Sequence, residues 1–198
     1  MTVYWATSNP GKLREFRLAA PAGIALEAMP GLSAWQTPEE TGATFEENAI
    51  LKANYYSVHA PAGALVFADD SGLEVDALNG APGVHSARFS GDHANDESNN
   101  ALLLERLASV DNRTARFVCV IALSQSGKSL AHFRGTVEGE ILRAPRGTGG
   151  FGYDPFFYCP QLGRTLAEAS DAEKLSVSHR GAALASLFRF LEAMSAGR

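Results

Sequence analysis

Four segments of this sequence combine residue types suited to a phosphorylated substrate. Thr7-Ser8-Asn9-Pro10-Gly11-Lys12 brings hydroxyls, an amide, a first-turn proline and a lysine to the start of a predicted helix. Exposed backbone donors beside a cation make phosphate the natural ligand there. The segment lacks the two-glycine spacing and terminal Lys-Ser/Thr of the P-loop, and taken alone it also suits a capped helix with a solvated lysine. Ala68-Asp69-Asp70-Ser71-Gly72 reads as an acidic turn. Adjacent like charges call for a compensating cation, and magnesium bound by one or two carboxylates plus substrate phosphates is a standard arrangement. Glu40, from the pair Glu39-Glu40, is a further candidate ligand. Read alone, the acidic pair is equally an ordinary surface turn.

The third segment, Gly149-Gly150-Phe151-Gly152-Tyr153-Asp154-Pro155, embeds two aromatics in glycines ahead of a carboxylate. An aromatic face can stack on a base while an aspartate accepts hydrogen bonds from the base's edge. The same run would also serve as a tight bend whose aromatics enter the core. The fourth sets Lys174 ahead of Ser178-His179-Arg180-Gly181, cationic donors suited to an oxo group or a phosphate, or simply capping residues. His59, His85, His93, His132 and His179 stand in no nucleophile context such as Gly-x-Ser-x-Gly.

The elements that must position these groups read as mixed α/β. Val3 to Thr7 is a short strand leading through Asn9-Pro10-Gly11 into a helix from Lys12 to Ala20. Ile24 to Met29 suits a second strand. Thr44-Phe45-Glu46-Glu47 fits a capping box opening a helix through Ala49, Leu51 and Lys52. Leu65 to Ala68 is an apolar strand that ends at the acidic turn. A helix over Asp96 to Leu107 has Ala101, Leu102, Leu103 and Leu107 as its apolar positions. Arg116 to Ser124 and Ser129 to Phe133 predict an antiparallel hairpin, continued by Thr136 to Leu142. Ser178 then caps a final helix, His179 to Met194, with Leu184, Leu187, Phe188 and Leu191 facing the core.

At 198 residues, 45% hydrophobic, the chain suits one domain over 1–198 with a self-sufficient core. A formal charge of −5 argues against a nucleic-acid or anionic-membrane partner. The N-terminal residues carry no basic-then-apolar leader, and no run approaches a membrane span, which predicts a soluble, cytoplasmic protein. Cys119 and Cys159 are far apart, without Cys or His neighbours at metal-ligand spacing, and read as buried free thiols.

Taken together and in order, Thr7 to Lys12, Thr44 to Ala49, Ala68 to Leu73, Gly147 to Pro155 and Ser178 to Gly181 resemble the inosine/xanthosine triphosphate pyrophosphatase, or Ham1, family. The resemblance implies an elongated mixed sheet flanked by helices, two lobes with a central cleft, and a homodimer. It implies hydrolysis of ITP, dITP and XTP to monophosphate and pyrophosphate with Mg2+. On it, Thr7, Ser8, Asn9, Pro10, Gly11 and Lys12 look like the phosphate loop, with Lys52 near the phosphates. Asp70 looks like the catalytic carboxylate and a magnesium ligand, Glu40 like a second ligand, and Ser71 like a substrate contact. Phe151, Gly152, Tyr153, Asp154, Lys174, His179 and Arg180 resemble the nucleobase pocket. A Maf-like pyrophosphatase, of related fold, has different motifs. A binding module without catalysis would not need the acidic set Glu40, Asp69 and Asp70.

Overall fold

In a computed structural model, which describes residues 1–197, the chain opens with a strand, Thr2–Trp5 (β1), and a helix, Pro10–Ala19 (α1). A second strand, Ala25–Ala28 (β2), lies parallel to β1. The helix Phe45–His59 (α2) begins with the expected capping box: Thr44 accepts from the Glu47 amide, and the Glu47 carboxylate answers the Thr44 amide. Strand Leu65–Val75 (β3), parallel to β1, is followed by helix Asp96–Arg106 (α3). Thr114–Gln125 (β4) and Lys128–Ile141 (β5) form the predicted hairpin. Their two-residue loop has positive φ at Ser126 (50°) and Gly127 (80°), the twist that a tight hairpin needs. Short strands Phe157–Cys159 (β6) and Arg164–Thr165 (β7) precede helices Asp171–Val177 (α4) and His179–Ala196 (α5). The mixed sheet has the order β2-β1-β3-β4-β5-β6-β7 and is flanked by helices.

One expectation needs correction. Asp69-Asp70-Ser71-Gly72 is not a turn at a strand end but the middle of β3, which continues to Val75. Turn-forming residue types are overridden there by tertiary partners. Each aspartate meets a lysine, and Ser86 Oγ accepts the Leu73 amide at 2.8 Å. Gly72 has no room for a Cβ against Ser86 and the Gly83 carbonyl. A smaller correction falls on α3, where Leu103 and Leu107 are buried as expected but Ala101 is exposed. Helix α4 has a readable Ser170/Glu173 capping box that sequence reasoning passed over.

The chain divides into two compact units: Met1–Asp70 with Cys119–Gly135 and the segment from Arg180 onward, and Ser71–Val118 with Thr136–His179. The core of the first includes Val3, Val66, Ile121, Leu123, Leu184, Leu187 and Leu191, with Phe16 packed edge-on to Phe67. The second is built on Leu73, Leu103, Leu107, Val137, Ile141 and Phe157. Cys119 and Cys159 are buried free thiols. Among the described residues no helix is long and apolar enough to cross a membrane.

Candidate active site

Along a strand, neighbouring side chains turn to opposite faces, and Asp69 and Asp70 accordingly have different partners. Lys12, on the first turn of α1, reaches Asp69 Oδ2 at 2.9 Å. That turn is fixed by Asn9, whose Oδ1 accepts from the Gly11 and Lys12 amides at 2.9 and 3.1 Å, while Thr7 Oγ1 accepts from the Asn9 amide. Pro10 stands in the first helical position, where a missing N–H costs nothing. Ser8 is exposed. Arg180 approaches the same Asp69 oxygen at 3.7 Å and is tied to Glu15 Oε2 at 2.6 Å. Both members of that ion pair are buried.

Asp70 belongs to a second group. Lys52 Nζ, on α2, lies 3.0 Å from Asp70 Oδ1 and 2.7 Å from Glu40 Oε1, so one ammonium holds both carboxylates. Asn48, one turn earlier on α2, donates to Asp70 Oδ2 at 3.3 Å and accepts the Gly42 amide at 2.8 Å. Gly42 is packed so closely on Asn48 and Glu47 that a side chain there would displace them.

The two adjacent aspartates are pushed apart in acidity. Burial raises the Asp69 pKa, but Lys12, Arg180 and Lys52 outweigh it and bring the group down to about 2. For Asp70 burial and the Glu40 charge win over Lys52, and its pKa lies above the ordinary aspartate value. Burial works against the Lys52 ammonium, yet Asp70, Asp69 and Glu40 together hold its pKa above the ordinary value. Asp69 is thus a fixed charge and Asp70 the more proton-avid of the pair.

A separate group forms on the glycine-rich segment. Asp154 Oδ2 accepts the Phe151 amide at 2.9 Å and pairs with Lys174 Nζ at 2.6 Å, and that ammonium sits 4.6 Å from the centre of the Phe151 ring. Asp154 and Lys174 are 2% and 3% exposed, so the pair is desolvated. Gly150, at φ +71°, has Asp154 where a Cβ would stand, which only glycine tolerates. Tyr153 is buried and its hydroxyl donates to the Ser86 carbonyl at 2.8 Å. The His179 ring stacks on Phe117, 4.8 Å between centroids.

The predicted residues therefore fall into three sets: Lys12 with Asp69 and Arg180; Lys52 with Asp70 and Glu40; and Phe151 with Asp154 and Lys174. Arg180, read from sequence as a base-pocket residue, engages Glu15 and Asp69. Three contributors were not singled out: Glu15, Asn48 and Ser86. Two had a signal, since Glu15 lies three residues after Lys12 and Asn48 four before Lys52, spacings that share a helix face.

Among the described residues no three of His, Cys, Asp and Glu cluster as metal ligands. Glu40 and Asp70 nonetheless fit a hard divalent cation. Both are oxygen donors, and both already lie within bonding distance of one cationic centre. Magnesium takes one or two carboxylates and completes its shell with water and phosphate.

The fold and these sets define a mixed α/β protein with partly desolvated carboxylate–lysine centres. The chain belongs to the Ham1 family, whose model matches residues 3–190. It is 52% identical over 193 residues to a dITP/XTP pyrophosphatase of Acidobacterium capsulatum, covering 93% of this chain and 95% of that one. Among solved structures it is similar to a HAM1 protein from Coxiella burnetii (TM-score 0.87, 41% identity, 98% and 99% covered). It is also similar to the Staphylococcus aureus Ham1 protein (TM-score 0.86, 43% identity, 98% and 100% covered).

Proposed function

We propose that the chain, acting over 1–198 as a single nucleoside triphosphate pyrophosphatase domain, hydrolyses ITP, dITP and XTP to the monophosphate and pyrophosphate. Such an enzyme removes deaminated purines from the nucleotide pool. The observation that carries this reading is the pair of neighbouring aspartates with opposed acidities, one locked to Lys12 and the other sharing Lys52 with Glu40. Sites that need both a fixed charge and a proton acceptor separate two carboxylates in this way.

Lys12, Lys52 and the Thr7 to Gly11 loop take the triphosphate. Asp69 keeps Lys12 charged and aimed, and Ser71 contacts the substrate. Asp70 orients the attacking water and accepts its proton. Asp70 and Glu40 would hold Mg2+, which would supply charge stabilisation to the phosphoryl group. Phe151 stacks on the base. Lys174, held by Asp154, offers a donor that a 6-oxo purine can accept and adenine cannot, with Gly152, Tyr153 and His179 completing the surroundings. A donor committed to an oxo group leaves a mismatched edge unpaired, which is costly when buried.

The protein is cytoplasmic in this reading, acts on free nucleotides rather than nucleic acid or membranes, and functions as a homodimer, which sedimentation checks. The decisive assay incubates the protein with ITP, dITP, XTP, GTP, ATP and UTP plus magnesium and separates the products. IMP and pyrophosphate from ITP is the expected result. IDP and phosphate would sink the pyrophosphatase reading, and preference for ATP or UTP would sink the specificity.

A further inference from the structure

The hydrogen bonds around Gly152 assign a task to α3 that the chemistry above does not use. The Gly152 amide donates to Asp96 Oδ2 at 2.7 Å, and its carbonyl accepts from Asn100 Nδ2 at 3.0 Å. Both sides of one residue are therefore gripped by a single helix, at a glycine whose φ of +63° other residues rarely adopt. The residue before it, Phe151, is held from the other side, its amide bound to Asp154 Oδ2. Helix α3 is a firm support for this grip, because Asn95 and Ser98 cap its start reciprocally, while Asn99 holds the Ser90 amide and the Ala87 carbonyl.

Asn100 has a further peculiarity. Its amide nitrogen donates to both the Asp96 and Gly152 carbonyls, which fixes which end is nitrogen, and among the described residues its buried Oδ1 has no hydrogen-bond partner. An unmet buried acceptor costs stability. A leucine, branched alike though bulkier, carries no such acceptor, so what the asparagine supplies is its amide donor to the Asp96 and Gly152 carbonyls.

We infer that Asp96 and Asn100 are positioning residues that hold Phe151 for the nucleobase by fixing the Gly152 backbone. The inference rests on the reading of Phe151 as the stacking residue. It separates base binding from phosphate binding, because the clamp touches only the glycine-rich segment.

The test compares Asn100→Leu, Asp96→Ala and Asp96→Asn with the wild type. It measures KM and kcat for ITP, the inhibition constant of inorganic tripolyphosphate, which carries no base, melting temperature, and hydrogen exchange at the Gly152 amide. Asn100→Leu and Asp96→Ala should raise KM for ITP roughly five- to tenfold, the scale of one lost hydrogen bond to a buried or charged group. Their kcat should stay within about twofold, tripolyphosphate inhibition should be unchanged, and Gly152 should exchange faster. Asp96→Asn, which keeps an acceptor oxygen, should restore KM. Should Asn100→Leu not fold, Asp96→Ala carries the test, since Asp96 is a surface residue. An unchanged KM in the folded variants, or tripolyphosphate inhibition shifted by the same factor as KM, would overturn the clamp and leave the pyrophosphatase reading standing. A wild type inactive on ITP, dITP and XTP would remove that reading first, and the base-positioning role with it.

Discussion

Two groups of site residues, one in each compact unit, carry ionised groups in different balance. In the first, among the described residues, the carboxylates of Glu15, Glu40, Asp69 and Asp70 lie against Lys12, Lys52 and Arg180. In the second, Asp154 and Lys174 neutralise one another beside an aromatic ring. A surplus of carboxylate favours an added cation, because like charges in a partly desolvated place repel strongly unless compensated. A balanced pair beside a ring favours a flat, uncharged partner with a polar edge. On the proposed reading, phosphate chemistry and base recognition have separate physical requirements, met by separate parts of the chain.

That contrast can be broken at several points. The largest effect should come from Asp70→Asn, which removes the proton acceptor while keeping shape. Turnover of ITP should fall by about 10²–10⁴-fold with little change in melting temperature, as steady-state pyrophosphate release and calorimetry would show. Near-normal turnover would take Asp70 out of the chemistry.

Lys174→Met comes next and acts on folding. It takes from the Asp154 carboxylate, 2% exposed, the ammonium 2.6 Å away. Breaking a buried pair this way costs about 3–5 kcal/mol. Denaturant unfolding should show that loss, and adding Asp154→Asn should return part of it.

Phe151→Ala should be milder and fall on binding. Base stacking is worth about 1–3 kcal/mol, read as a higher KM for ITP at nearly constant kcat.

The smallest effect is confined to alkaline pH. Burial, aided by the Asp69 charge, pushes the Cys119 thiol up to about 12 from an ordinary 9.0. A raised folded-state pKa means that this contribution is fully present below the unfolded value and is lost as pH rises from about 9 towards about 12. The Lys52 contribution fades only above 10.5, because its folded pKa is raised. Between pH 9 and 10, below the range where the buried Tyr153 hydroxyl, ordinarily at 10.0 and raised by burial, adds its own loss, Cys119→Ala should therefore flatten the fall in melting temperature. An equal slope in both proteins would show that the thiol is not the cause.

Much of the frame was legible in the sequence because local signals and tertiary structure agree there. Asn9-Pro10-Gly11 does start α1, Thr44 and Glu47 do form the capping box, and the predicted hairpin does form, around Ser126-Gly127. Asp69 to Gly72 misled because its residue types favour a turn, while Lys12, Lys52 and Ser86, distant in sequence, hold it extended. Alternation along that strand is what splits the two aspartates. No local rule reports it once the segment is read as a turn. The pairing of Arg180 with Glu15 was hidden for a similar reason, since 165 positions separate them.

The central claim is that the carboxylate–lysine sets perform chemistry common to all triphosphates while the Phe151–Asp154–Lys174 set chooses among bases. Its most direct test is kcat/KM for ITP, XTP and ATP on the wild type, Glu40→Gln and Phe151→Ala. Glu40→Gln should lower all three by a similar factor and keep the preference for ITP and XTP, whereas Phe151→Ala should lower ITP and XTP selectively and narrow their lead over ATP. A Glu40→Gln enzyme with altered preference, or a Phe151→Ala enzyme that loses all three equally, would contradict the division.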